Sequence, residues 1–235
     1  MIKKIPAERR HFTDIGWLQT YWLFSFSSYY DPENIRHGSL RVFNDDVVQP
    51  HKGFATHPHE EMEIVTLVLQ GEMEHRDTMG NVTTIRKNDV QRMTAGTGLH
   101  HSEWNNGDLP VHFLQVWILP DKRGLSPSYD QRSFNPAYWH NRFSLLAGSA
   151  DHGNAVALNT DAYFYRADLD DSTLTEYSVE KNRNQFIYLI DGNMLLNGER
   201  FSSRDQARIT GESMLTIEPL DAADLLLIDI PTKQL

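Results

Sequence analysis

Two short motifs carry the chemistry open to this chain. His57-Pro-His59 and His101-Ser-Glu103 each place two metal-binding side chains at positions i and i+2. In an extended strand those positions share a face. Two such strands side by side aim three imidazoles and one carboxylate at a single point. Three nitrogens and one oxygen suit a divalent transition metal such as Fe, Cu, Ni, Mn, Co or Zn, with room left for water or substrate. The chain has no cysteine, so thiolate ligands and disulfides are excluded, and His, Asp and Glu are the side chains left for a metal site.

The elements that must hold these motifs read as β. Ile64-Val-Thr-Leu-Val-Leu69 is a buried-strand run that ends at Gln70-Gly71, and Val111 to Leu119 is another, stopped by Pro120. Asp77-Thr-Met-Gly80-Asn81 and Lys87-Asn88-Asp89 read as turns. Ser202 to Gln206 has the pattern of a single helical turn. Short strands spaced by turns predict an all-β sandwich or barrel. Between Pro120 and Pro136 the composition turns polar and strand patterning lapses, which reads as a connection between two β units. The units look like copies. Ile187-Tyr-Leu-Ile-Asp-Gly192 echoes Val65-Thr-Leu-Val-Leu-Gln-Gly71, and Leu225 to Pro231 echoes Phe113 to Pro120. Anchored on those glycines and prolines, Ser178 and Glu180 fall opposite His57 and His59, and Glu212 and Met214 opposite His101 and Glu103. The expected organisation is a metal-binding unit over 1–120, a connecting segment over 121–137 and a degenerate unit without a metal site over 138–235.

Composition narrows the partners. The chain has 235 residues, 40% hydrophobic and 23% charged, which is ordinary for a globular protein. A formal net charge of −10, with basic residues densest only at Lys3-Lys4 and Arg9-Arg10, argues against direct nucleic-acid binding. No apolar run approaches the roughly 20 residues needed to span a bilayer. Met1 to Arg10 has no apolar stretch behind its basic residues, so no secretory signal is expected, and a cytoplasmic location fits.

The frame around the motifs is distinctive. Gly53 precedes the first, Glu63 stands four residues after His59, and the second sits in Gly96-Thr-Gly98-Leu-His100-His101-Ser-Glu103-Trp-Asn105. Gly53…His57-x-His59-xxx-Glu63…Gly71 followed by Gly98-xx-His101-xxx-Asn105 resembles the two motifs of the cupin superfamily. The wording is closer still to the pirin family of bicupins, through His37-Gly-Ser-Leu-Arg-Val-Phe-Asn44, Asp77-Thr-Met-Gly-Asn81 and Thr94-Ala-Gly-Thr-Gly98. The resemblance implies two jelly-roll-like β-barrels in tandem, the first holding a metal through His57, His59, His101 and Glu103. Pirins are usually described with iron. Bacterial relatives resemble quercetin 2,3-dioxygenases, which open a flavonol ring with O2 and release carbon monoxide, with Glu103 here in the place of a catalytic base. Eukaryotic members are described as nuclear co-regulators. The alternative readings are therefore a non-enzymatic, redox-sensing iron protein with a protein partner, or a metal enzyme with another small substrate.

Other residues carry weaker expectations. Glu61 and Glu63 share strand parity with the histidines, so extra carboxylate near the site would favour a cation and disfavour an anionic flavonolate. Glu63 is expected to orient a histidine through its free ring nitrogen rather than to ligate. His100 points away from the site in a strand. His51, His75 and His112 read as surface groups or as neighbours of a ligand, and His11, His37, His140 and His152 have no partner that spacing can name. The aromatic stretch Trp17, Tyr21, Trp22, Phe24, Phe26, Tyr29 and Tyr30 reads as core packing more than as a ligand-stacking wall.

Overall fold

The structure is a computed structural model that describes residues 1–149 and 153–232; His152 lies outside the described residues. The strands run β1 (Ile2–Ile5), β2 (His11–Asp14), β3 (Leu18–Trp22), β4 (Leu40–Val48), β5 (Lys52–His59), β6 (Glu63–Gln70), β7 (Glu72–Asp77) and β8 (Val82–Arg86). They continue as β9 (Asp89–Thr94), β10 (Leu99–Asn105), β11 (Val111–Ile118), β12 (Ser128–Ser133), β13 (Ser144–Ser149), β14 (Val156–Leu158) and β15 (Tyr163–Leu169). The last are β16 (Thr175–Ser178), β17 (Arg183–Asp191), β18 (Asn193–Leu196), β19 (Glu199–Ser202), β20 (Gln206–Thr210), β21 (Met214–Pro219) and β22 (Ala223–Pro231). Helix among the described residues is limited to 3-10 turns at Ala7–Arg9 and Pro136–Tyr138. Ser203 and Arg204 form a turn rather than a helix, because Arg204 takes a left-handed φ of 72°.

The chain makes two compact units, each a pair of jelly-roll-like sheets rather than a closed barrel. One unit comprises His11–Phe134 with Ser149–Thr160. It holds a sheet in the order β12-β9-β6-β11-β4-β3-β2 and a second in the order β5-β10-β7-β8. The other comprises Met1–Arg10, Asn135–Gly148 and Asp161–Leu235, with the orders β1-β20-β17-β22-β15-β13 and β16-β21-β18-β19. These divisions differ from the expected 1–120, 121–137 and 138–235. The first strand pairs with β20 near the chain's end, and the polar stretch read as a connector contains β12, which pairs with β9. Ser128-Tyr-Asp-Gln-Arg-Ser133 has no apolar alternation because it is an edge strand whose inward positions are polar.

The repeat seen in the sequence is a repeat of topology. β6 pairs with β11 as β17 pairs with β22, and Gly71 and Gly192, at φ of +77° and +95°, end the corresponding strands. At both glycines a Cβ would meet a backbone carbonyl, of Pro110 at 2.9 Å and of Ala222 at 2.0 Å, so the two turns demand the same residue. Anchoring on the glycines and prolines puts positions of the second copy on the wrong side of their strands. Ser178, Glu180 and Met214 face outward, and the inward side chains of β16 and β21 are Tyr177, Leu215 and Ile217. They join a dry interior that includes Ile187, Leu189, Met194, Phe201 and Leu225.

Candidate metal centre

β5 and β10 run antiparallel, and His101 pairs directly with His57. The ladder then slips: Glu103 pairs with Phe54, so two residues of β10 face three of β5. This bulge lies at Ala55-Thr56, and bulges of this kind re-aim side chains beside functional sites. Here it turns the Ala55 carbonyl to within 2.8 Å of His57 Nδ1. That contact assigns the His57 proton to Nδ1 and leaves the lone pair on Nε2, free to bind a metal. β10 alternates strictly, with His101, Glu103 and Asn105 buried and His100 and Trp104 exposed. His100 points away, as expected from its parity.

The three imidazoles converge. Ring centroids lie 4.9 Å apart for His57 and His59, 4.4 Å for His57 and His101, and 4.8 Å for His59 and His101. Each can offer a nitrogen, and these atoms all lie within 4.8 Å of one another. Glu103 belongs to a second group of the same size, with His75 and His101, so His101 is shared. The Glu103 carboxylate accepts from Gln115 Nε2 at 3.0 and 3.2 Å, and Trp117 Nε1 donates to Gln115 Oε1 at 3.1 Å, fixing the amide's orientation.

A hydrogen-bond chain behind His101 sets its tautomer. His75 Nε2 meets Asp77 Oδ2 at 3.0 Å, and a carboxylate there takes the N–H. His75 Nδ1 is then an acceptor, faced by Gln91 Nε2 at 3.3 Å and His101 Nδ1 at 3.4 Å. His101 donates through Nδ1, and its Nε2 keeps a lone pair. That Nε2 is buried and has no hydrogen-bond partner. Buried nitrogens are normally satisfied, so an orphan on a ring packed against the His57 and His59 imidazoles is what a bound cation fits. Burial, with the neighbouring imidazoles, lowers the His101 pKa to about 2; burial, with His57, lowers that of His59 to about 4. The rings are therefore neutral donors at neutral pH. Burial raises the Glu103 carboxyl to about 7, against the pull of Gln115.

A cavity of about 410 Å³ opens onto His57, His59 and Glu103. Its walls include Trp17, Trp22, Phe26, Phe54 and Trp117. The N-terminal aromatic stretch therefore divides: Phe24 is buried core, Tyr30 is exposed, and Trp17, Trp22 and Phe26 face the cavity. Trp22 and Trp117 both set their rings edge-on to Phe26.

The expected extra carboxylates do not reach the site. Glu61 takes a left-handed φ of 50°, which breaks strand parity after His59, and its Oε1 accepts from Gly124 N at 2.8 Å. Glu63 starts β6 in the other sheet, accepts from Asn159 N at 3.3 Å and neighbours Arg92 and Thr94 rather than a ligand histidine. His51 faces Asp108 and His112 faces Asp45, both away from the imidazole cluster. The sequence reads His75 as a surface group or a neighbour of a ligand, and the structure makes it the neighbour of His101; Asp77 enters that reading only as part of a turn, and Gln91 and Gln115 do not enter it. The available signal was the His75-x-Asp77 spacing, the same i, i+2 spacing as the ligand motifs, and a glutamine interrupting the apolar strand Val111–Ile118.

Paired jelly rolls with a histidine-rich cavity in one of them define a bicupin of the metal-binding type. Residues 6–118 match the Pirin family and residues 145–230 the Quercetinase C-terminal cupin domain. The chain is 38% identical over 230 residues to a Pirin-like protein of Caulobacter vibrioides, covering 97% of this chain and 99% of that one. It is 36% identical over 232 residues to Quercetin 2,3-dioxygenase of Escherichia coli K12, covering 98% and 99%. The crystal structure of bacterial pirin YhhW in complex with nickel(II), from Escherichia coli, superposes with a TM-score of 0.93 at 34% identity, over 98% of this chain and 99% of that one. The chain belongs to the pirin family.

Proposed function

We propose that this protein is a metal-dependent dioxygenase of flavonol-like enols, with quercetin 2,3-dioxygenase activity. The observation that carries the reading is the cavity, which sets two imidazoles and a buried carboxyl group in the wall of a space of about 410 Å³ that is also lined by aromatic rings. Such a volume falls within the roughly 300–1,000 Å³ of small-molecule sites. A redox-sensing surface would not need it. The similarity to a named quercetin dioxygenase and to a nickel-bound pirin supports the same reading.

His57, His59 and His101 would hold the ion, and Glu103, grouped with His101 and His75, would be the fourth ligand through its proximity to His101. When bound, a divalent metal supplies Lewis acidity toward an oxygen donor and raises the acidity of a substrate hydroxyl. Fe, Cu, Ni, Mn, Co and Zn all accept this donor set, so the native ion is decided by availability and activity. Glu103 accepts the enol proton at a carboxylate oxygen. The Asp77–His75–His101 chain keeps the His101 lone pair on Nε2. The Ala55 carbonyl does the same for His57. Trp17, Trp22, Phe26 and Trp117 exclude water and hold a planar ring system. The overall reaction joins the flavonol to O2, opens its heterocycle and releases carbon monoxide.

Protein reconstituted with each metal is mixed with quercetin in air, and loss of flavonol absorbance is followed. Turnover that disappears in His57→Ala and Glu103→Ala supports the proposal. Tight metal binding with no turnover across Fe, Cu, Ni, Mn and Co overturns it.

A further inference from the structure

The sheet facing the imidazoles contributes a second polar feature to the cavity. β3, β4 and β11 are adjacent, and their registers stack Thr20 beside Asp46 beside Phe113, and Trp22 beside Asn44 beside Gln115. Thr20, Asn44 and Asp46 line the cavity, and their exposures are only 1%, 4% and 3%. Thr20 Oγ1, Asn44 Oδ1 and Asp46 Oδ1 make no hydrogen bond of good geometry within the protein, although Thr20 lies close enough to Asp46 to temper its burial. Gln115, one strand away, spends its amide on Glu103 and Trp117 and supplies them nothing. Three such atoms in one patch, inside a cavity whose wall is mostly apolar, are costly unless an occupant satisfies them. A strand interior is also an unusual place for Asn44-Asp45-Asp46, since apolar side chains pack there better.

We propose that Thr20, Asn44 and Asp46 form a substrate subsite that binds a second hydroxyl, one other than the hydroxyl directed at the imidazoles. A substrate O–H donates to the amide or carboxyl oxygen, and its own oxygen accepts from the Thr20 hydroxyl. The substrate class is thereby narrowed to planar enols that also carry ring hydroxyls. This rests on the flavonol reading of the same cavity. A site built to hydrogen-bond a substrate hydroxyl rejects the analogue that lacks it, because its own polar groups are left unpaired.

The test uses nickel(II)-loaded protein under argon, so that binding is read without turnover. Quercetin, which carries ring hydroxyls, is compared with 3-hydroxyflavone, which has the enol alone. Binding is followed by quenching of tryptophan fluorescence, since Trp17, Trp22 and Trp117 line the cavity. Wild type is expected to bind quercetin roughly 10–100-fold more tightly, the worth of one or two buried hydrogen bonds. Thr20→Val and Asp46→Leu, checked for nickel content and for thermal unfolding, should collapse that ratio toward one. Thr20→Val is nearly isosteric and carries the test alone if Asp46→Leu does not fold. Two flavonols bound in an unchanged ratio by the variants would overturn the subsite and leave the flavonol reading intact. Failure of wild type to bind either flavonol would overturn both.

Discussion

Gly53→Ala tests the convergence of the ligands without touching any of them. Gly53 pairs with Trp104 across β5 and β10, two residues from the bulge. A Cβ there would lie 2.2 Å from the Glu103 carbonyl oxygen, 2.6 Å from Trp104 Cα and 2.9 Å from Trp104 Cε3. The nearest two atoms are backbone and cannot rotate away. Ordinary carbon contacts need roughly 3.5–4.0 Å, so the strands must part by about 1 Å or more. Metal–ligand distances tolerate only about 0.2 Å. His57 and His59 ride on one of these strands and His101 and Glu103 on the other, so the strain falls directly on the convergence. Overpacking of this kind costs about 1–3 kcal/mol of stability. The loss in nickel(II) affinity should be at least the roughly 10–100-fold that follows removal of one supporting hydrogen bond. Chelator-stripped protein is titrated with nickel(II) by calorimetry, and bound metal is counted by elemental analysis. The control is Gly148→Ala in the other unit, where a Cβ meets the Tyr163 ring at 2.8 Å. That variant should lose stability and keep its metal. Gly53→Ala that binds nickel(II) as tightly as wild type would refute the claim that strand spacing sets the site.

Four further outcomes are expected. His101→Ala should abolish tight metal binding while His100→Ala barely changes it, and equal losses of bound metal would contradict the alternation of β10. His75→Phe and Asp77→Asn should each weaken nickel(II) binding by roughly 10–100-fold while leaving one ion per chain at saturation, because they release the His101 tautomer rather than remove a ligand; unchanged isotherms would dismiss the chain. Metal-loaded wild type should hold one ion per chain, and a stoichiometry near two would place a site in the second unit. Burial raises the Asp46 carboxyl to about 8, helped by the charges of Asp45 and Glu103 and opposed by Thr20. The folded state then binds a proton that the unfolded chain has released, so the stability this group contributes is lost as pH rises toward 8. Metal-free protein should lose about 2 kcal/mol from this group between pH 6 and 8, read by urea unfolding, and Asp46→Asn should flatten that slope.

The ligand motifs were legible because strand parity is local. His57-x-His59 and His101-x-Glu103 announce a shared face wherever they form strands, and the sequence also separates His100 from His101. Turn glycines at Gly71 and Gly192 and the runs they end gave the repeat. Parity failed as soon as a single residue left the strand. Glu61, turned by its φ of 50°, moved itself and Glu63 away from the site, and alignment on turns misjudged parity in the second unit, where Tyr177 and Leu215 face inward and Ser178 and Met214 outward.

Long-range pairing decided the rest. The bulge that presents the Ala55 carbonyl to His57 exists only against β10, and the Asp77–His75–His101 chain only because β7 lies on the other side of β10. Gln115, Asn44, Asp46 and Thr20 look like polar interruptions in apolar strands until three neighbouring strands put them on one inner face. Side-chain identity and a two-residue period thus determined which groups could bind a metal. Which of them meet, which nitrogen each presents and what else faces the cavity follow from hydrogen-bonded register between distant segments, a property no stretch of chain carries alone.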